Sequence, residues 1–86
     1  MTRDEIRNAV LAALTSVAPE IDARTLPPDA AFRQEFDLDS MDFLNFVIAL
    51  HTHLGVDVPE ADYAKVATLN EAIDYLAVRV QPTPTP

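Results

Sequence analysis

The sequence predicts an all-α domain of four helices, three of them longer and one, the third, short. Apolar residues recur at the three- and four-residue spacing of amphipathic helices in three separate stretches of the chain. Residues that favour helix ends stand at the borders of these stretches, and no stretch alternates as a β-strand would. The chain has 86 residues, of which 49% are hydrophobic, which suits one small core. We therefore expect a single helical bundle over residues 1–80.

The first helix is predicted to begin after Thr2 and to end before Pro19. Thr2 and Glu5 have the spacing of a capping box, in which each side chain accepts a hydrogen bond from the other residue's backbone N–H. The apolar stripe that follows consists of Ile6, Val10, Ala13, Leu14 and Val17. Pro19 disfavours helical backbone at Ala18 and so ends the helix.

A long loop is predicted over residues 18–39. The stretch contains three prolines and shows no sustained helical period. A loop of this length in a compact domain is either functional or wrongly assigned as a loop. We expect Phe32 and Phe36 to anchor it to the core, with one helical turn at residues 30–34.

The second long helix is predicted from Ser40 to Leu54, with Gly55 as the left-handed residue that ends it. Its core face is expected to consist of Phe43, Phe46, Val47, Leu50 and Leu54. A second, adjoining apolar strip, which we call the outer arc, consists of Met41, Leu44 and Ile48. The outer arc either contacts a neighbouring helix or forms a docking surface for a partner, and the sequence leaves both open.

Two further helices are predicted in the C-terminal third of the chain. Pro59 opens a short helix over residues 60–66. Thr68 and Glu71 have the spacing of a second capping box, and the apolar stripe after it consists of Leu69, Ala72, Ile73, Leu76 and Val80. Residues 81–86 alternate Pro and Thr and are predicted to form an extended, disordered tail.

The charge and composition restrict the partners and the compartment. Six Lys and Arg stand against fourteen Asp and Glu, and the formal charge of −8 disfavours nucleic acid and anionic membrane surfaces. There is no cysteine, so disulfides and thiol chemistry of the chain's own are excluded. The N-terminal segment resembles neither a signal peptide nor a membrane span. We expect a cytoplasmic monomer that does not insert into membranes.

Ser40 follows Asp39 where the long loop becomes the second long helix, and two interpretations of this pair are open. Both residue types are favoured helix N-caps, so the pair can be structural. Alternatively, the hydroxyl can carry a phosphate, because backbone N–H groups and the helix dipole favour an anion at a helix start. Catalysis is not expected, since a Gly-x-Ser-x-Gly motif is absent. No metal site is expected either, because His51 and His53 are two residues apart and face different sides of a helix.

Acidic residues concentrate around the second and third helices. Between Gln34 and Ala64 there is no Lys or Arg, and the acids there are Glu35, Asp37, Asp39, Asp42, Asp57, Glu60 and Asp62. Such a cluster can be a solvated face, or it can surround apolar anchors and attract a basic partner. The residues that we predict for docking are Asp37, Asp42, Leu44, Asn45, Ile48 and Asp62.

The ordered set of motifs resembles the acyl carrier protein family. The family's loop anchor is matched by Asp29-Ala30-Ala31-Phe32, and its attachment motif is matched by Asp39-Ser40-Met41. Its last helix is matched by Ala72-Ile73-Asp74-Tyr75-Leu76. The resemblance implies that Ser40, between Asp39 and Met41, carries 4′-phosphopantetheine from coenzyme A, whose thiol holds an acyl group as a thioester. It implies as partners a phosphopantetheinyl transferase (holo-ACP synthase) and enzymes that load, transfer or condense acyl groups. It also implies that acyl chains are sheltered near Phe46, Leu50 and Ala72.

The chain departs from the fatty-acid carriers at several positions. Asp37 stands where the family usually has a glycine, which leaves a different turn into the helix open. Asn45, His51, Thr52 and His53 stand where those carriers have glutamates on their second helix. We therefore expect a specialised carrier in lipid, fatty-acid or polyketide-type biosynthesis. The alternatives are an aminoacyl, D-alanyl or peptidyl carrier and an unmodified helical interaction domain.

Overall fold

The computed structural model describes residues 2–22 and 24–80, and this part of the chain forms five helices and no strand. The helices are α1 (Arg3–Val17), α2 (Phe32–Glu35), α3 (Ser40–Leu54), a 3₁₀ helix (Glu60–Val66) and α4 (Leu69–Arg79). α1 packs against α3 and α4, and the 3₁₀ helix packs against α4. The predicted all-α bundle is confirmed, and its short third helix is of the 3₁₀ type. The tail predicted for residues 81–86 lies outside the described residues, and the domain boundary at residue 80 stays a prediction.

The helix ends follow from local side-chain chemistry. At the start of α1 the Thr2 hydroxyl accepts a hydrogen bond from the Glu5 N–H at 3.1 Å, and the Glu5 carboxylate accepts one from the Thr2 N–H at 2.8 Å. At the end of α3 Gly55 has a φ of 70°, in the left-handed region that glycine favours. Before α4 the Thr68 hydroxyl accepts from the Glu71 N–H at 3.1 Å, and among the described residues this is the only half of the predicted capping box that forms.

An aromatic cluster joins three of the helices at the core. Phe32 of α2 meets Phe46 of α3 edge-on, with 5.4 Å between the ring centroids. The ring centroid of Phe43, also on α3, lies 5.6 Å from that of Phe46 and 5.5 Å from that of Tyr63 in the 3₁₀ helix. Such pairs stabilise by roughly 0.5–1.5 kcal/mol beyond the burial of their area. Four of the five residues predicted for the core face of α3 are buried, and Leu54 is half-buried.

The outer arc lies on the surface of the protein. The side chains of Met41, Leu44 and Ile48 are 62%, 37% and 53% exposed. The outer arc is therefore not buried against a neighbouring helix, and its use as a docking surface stays a prediction. Phe46, Leu50 and Ala72, by contrast, are fully buried within the core.

The long loop between α1 and α3 is tied to the segment that precedes and begins α4. The Phe32 N–H donates to the Ala67 carbonyl at 2.8 Å, and the Asn70 N–H donates to the Pro28 carbonyl at 3.1 Å. The Asn70 side-chain amide also donates to Asp29 at 2.8 Å. Of the two predicted loop anchors, Phe32 is fully buried and Phe36 is half-buried against the core. These contacts fix the position of α2 next to the start of α3.

Candidate functional site

Ser40 is the first residue of α3, and its side chain is exposed. Asp39 is the N-cap: its carboxylate accepts from the Asp42 N–H at 2.8 Å, while the Asp42 carboxylate accepts from the Asp39 N–H at 3.3 Å. Because these two acids cap the helix between them, the cap does not need the Ser40 hydroxyl. Within the described part of the chain, that hydroxyl makes no hydrogen bond.

The backbone next to Ser40 offers donors for an anion. The N–H groups of Ser40 and Met41 have no acceptor among residues 2–22 and 24–80. They lie at the positive end of the helix dipole of α3, where backbone N–H groups bind phosphate well. An exposed hydroxyl beside two unpaired N–H groups fits the phosphodiester of a 4′-phosphopantetheine group.

A groove opens at this end of α3, and we call it the attachment groove. It has a volume of about 390 Å³ and is lined by Arg33, Ser40, Met41, Phe43, Leu44, Glu60 and Tyr63. Four of these residues were not predicted for the site: Phe43, which was assigned to the core face of α3, and Arg33, Glu60 and Tyr63. The last three come from α2 and the 3₁₀ helix, so only the tertiary packing brings them to Ser40. Of these residues, only Arg33 could have been singled out from the sequence, because it is the single Lys or Arg between residues 25 and 64.

A second groove lies farther along α3. It has a volume of about 590 Å³ and is lined by Val47, Ile48, His51, Asp57, Val58 and Pro59. His51 Nδ1 lies 2.7 Å from a carboxylate oxygen of Asp57. The outer arc therefore reaches from the attachment groove, at Met41 and Leu44, to this second groove at Ile48.

The predicted docking residues fall into two groups. Five of them lie before α3 or on α3 as far as Ile48, and all are exposed except Asp42, which is half-buried: Asp37, Asp42, Leu44, Asn45 and Ile48. Asp62 lies apart from them in the 3₁₀ helix and faces α4. Its carboxylate accepts a 2.7 Å hydrogen bond from the Tyr75 hydroxyl and has Lys65 and Arg79 at 3.5 and 3.7 Å.

Asp62 forms a group with Tyr75, Lys65 and Arg79 that we call the Asp62 cluster. The pKa values of two of its members are shifted. The Tyr75 hydrogen bond, helped by the charges of Lys65 and Arg79, lowers the pKa of the Asp62 carboxyl. Burial, followed by the hydrogen bond to Asp62, raises the pKa of Tyr75. The carboxylate of Asp62 is thus engaged inside the protein, in contrast to the other acids predicted for docking.

Asp37 has an unusual backbone at the turn before α3. Its φ is 56°, in the left-handed region that favours glycine. The turn is closed by the Leu38 N–H, which donates to the Arg33 carbonyl at 3.0 Å, and by Arg33 Nε, which donates to the Leu38 carbonyl at 3.5 Å. Asp37 therefore adopts the conformation in which a glycine would be free of strain.

Comparison with known proteins identifies a family for the chain. The family model for the phosphopantetheine attachment site matches residues 8–76. The acyl carrier protein of Lactobacillus johnsonii is 34% identical over 76 residues, which cover 88% of this chain and 94% of that protein. The acyl carrier protein of Rubrobacter xylanophilus is 29% identical over 76 residues, covering 88% of this chain and 93% of that protein.

The helical fold and the match over residues 8–76 define a carrier that holds covalently attached 4′-phosphopantetheine and is not a catalyst. The chain belongs to the acyl carrier protein family. Members of this family interact with phosphopantetheinyl transferases and with acyl-handling enzymes. None of the helices in the described residues combines the length and the apolarity that a membrane crossing requires.

Proposed function

We propose that Ser40 is the residue that carries 4′-phosphopantetheine, and that the chain is a specialised carrier serving one lipid, fatty-acid or polyketide-type pathway. The observation that carries the proposal is the exposed Ser40 hydroxyl, which has no intramolecular partner in the described residues and stands beside two N–H groups without acceptors. Asp39 supports this role by capping α3 in place of the serine. Met41 forms the apolar wall next to it.

In the loading step the Ser40 Oγ attacks the phosphorus of coenzyme A that bears the pantetheine. One O–P bond forms to Oγ, the bridging P–O bond of the pyrophosphate breaks, and the nucleotide part leaves. The Oγ proton passes to a base of the transferase. The bound group supplies the thiol that a chain without cysteine lacks, and that thiol holds the acyl group as a thioester.

The partner surface that we propose centres on Leu44 and Ile48 of the outer arc. Asp37, Asp42 and Asn45 surround these apolar residues. Asp62 was also predicted for docking, but it lies apart from them in the 3₁₀ helix and is bonded to Tyr75 with Lys65 and Arg79 beside it. This arrangement suits a partner with an apolar centre and a basic rim. The neutral Asn45 and Thr52 on α3 support a partner that depends more on the apolar arc than on charge.

The test of the attachment site uses coenzyme A, a broad-specificity phosphopantetheinyl transferase and intact-protein mass. Ser16 and Ser40 are the only serines of the chain, and the Ser16 hydroxyl donates to the Ala13 carbonyl at 2.6 Å. We expect the wild type and Ser16→Ala to gain one phosphopantetheinyl group and Ser40→Ala to gain none. If Ser40→Ala is loaded like the wild type, or the wild type is not loaded, the proposal is wrong.

A further inference from the structure

Negative charge is crowded around Ser40. Asp39 and Asp42 already occupy the positive end of α3 with their carboxylates, and Glu60 lines the attachment groove. A phosphodiester on Ser40 adds one more anion to this group. Like charges at such short range destabilise one another even when water screens them in part. A cation at this end of α3 would offset part of this repulsion.

Arg33 is the one cation that lines the attachment groove. Its Nε makes a long hydrogen bond, 3.5 Å, to the Leu38 carbonyl. No carboxylate in the described residues lies within 4.0 Å of its guanidinium, and its two Nη groups have no hydrogen-bond partner there. Four N–H donors are therefore free to bind an anion in the groove.

The backbone beneath Arg33 is held firmly. The preceding residue, Phe32, is fully buried, its ring contacts Phe46, and its N–H is bonded to the Ala67 carbonyl. The Arg33 carbonyl accepts from the Leu38 N–H and thereby closes the turn that leads to Ser40. The fixed backbone sets the point from which the Arg33 side chain reaches into the groove, and the planar fork of its guanidinium matches two phosphate oxygens.

We propose that Arg33 is a positioning residue, whose Nη groups bind the phosphodiester on Ser40 and hold the start of the pantetheine arm in the attachment groove, beside Phe43 and Tyr63. This inference rests on the proposed attachment at Ser40. Arg33 thus offsets the charge added by loading and gives the arm a preferred direction on the protein surface.

The test compares loaded proteins by NMR, after mass spectrometry has shown one phosphopantetheinyl group on each. The readouts are the ³¹P shift of the phosphodiester and the nuclear Overhauser cross peaks between the arm and the Tyr63 ring. Arg33→Gln removes the charge, Arg33→Lys keeps the charge without the fork, and Arg7→Gln removes an equal charge from the exposed side of α1.

In Arg33→Gln we expect the ³¹P shift to move toward that of a free phosphodiester. We expect the cross peaks between the arm and the Tyr63 ring to weaken roughly two- to fivefold, which corresponds to the free energy of one exposed ion pair. Arg33→Lys should lie in between, and Arg7→Gln should match the wild type. Amide shifts of α3 check that Arg33→Gln remains folded. If the loaded wild type and loaded Arg33→Gln show equal ³¹P shifts and equal cross peaks, the proposed role of Arg33 is wrong, while the attachment at Ser40 is unaffected. Absence of any added mass on the wild type would instead overturn the attachment site and, with it, this inference.

Discussion

At the turn before α3, the backbone of Asp37 has a φ of 56°, although an aspartate is less suited to this conformation than a glycine. Left-handed backbone is uncommon for residues with a Cβ, and Asp tolerates it better than most. The strain lies three residues before Ser40, in the turn that sets where α3 begins. An aspartate at this position does not by itself reveal its φ, so the conformation of the turn could not be predicted from the sequence.

Asp37→Gly should raise the free energy of unfolding by about 0.5–1 kcal/mol, because glycine adopts the left-handed conformation without the contact that a Cβ causes. Asp37→Ala should lower it, since alanine lacks the local hydrogen bonding that lets aspartate tolerate this region. Urea denaturation followed by circular dichroism measures both. If Asp37→Ala proves at least as stable as Asp37→Gly, the left-handed turn is not the conformation of the protein in solution.

The 3₁₀ helix is attached to α4 by the cluster around Asp62. Tyr75 of α4 donates to the Asp62 carboxylate at 2.7 Å, and the Arg79 guanidinium carbon stacks 3.6 Å from the centre of the Tyr75 ring. The 3₁₀ helix is short and, apart from Val66, carries exposed or half-buried side chains. Its attachment therefore depends strongly on this cluster and on the contact of Tyr63 with Phe43.

The attachment of the 3₁₀ helix should depend on pH in the acid range. The pKa of Asp62 is lower in the folded protein than its unfolded value of about 3.9, so its contribution is complete above that value and is lost as the pH falls toward the folded pKa. Asp62→Asn should therefore lower the free energy of unfolding at pH 7, and its difference from the wild type should shrink as the pH falls below about 3.9.

Denaturation at a series of pH values measures this difference, with Glu20→Gln, an exposed acid of the loop, as the matched control. A difference between wild type and Asp62→Asn that stays constant down to low pH would contradict the role of the Asp62 charge.

The elements that sequence reasoning located correctly are those with local signals. The Thr2 and Glu5 capping box and the left-handed Gly55 depend on residues within one turn of the helix end, and both are confirmed. The Asp62 and Tyr75 pair and the place of Arg33 in the attachment groove depend on how separate helices pack. No spacing rule within one helix relates such residues, so the sequence could suggest Ser40 but not the groove beside it.

Most of the large hydrophobic residues that are exposed in the described chain lie on α3, and half of the acids of the sequence belong to the segment that contains this helix. Three of the four large hydrophobic residues that are exposed in the described chain belong to the outer arc, and the fourth is Val78 of α4. The sequence carries a net charge of −8, and seven of its fourteen acids lie between Gln34 and Ala64. The proposed docking surface is therefore the side of the protein that carries Ser40.

Truncating the outer arc should weaken docking without weakening the fold. Leu44→Ala and Ile48→Ala should each reduce kcat/KM for loading by the transferase by roughly five- to thirtyfold, since each removes an apolar contact of about 1–2 kcal/mol at the interface. Their free energy of unfolding should change little, because both side chains are exposed in the free protein. Val78→Ala, on α4, is the control. Equal loading rates for the three variants would place the docking surface elsewhere.

The hydrogen bonds between the long loop and the residues at the start of α4 restrict the order in which parts of the structure can form. Asn70 bonds to Asp29 across 41 positions of the chain, and Phe32 bonds to Ala67. α2 cannot take its final place until these later residues have left the ribosome. Ser40 has emerged by then, but the wall of its groove has not been assembled. The wall of the loading site can therefore be completed only after residues 67–70 have joined the fold.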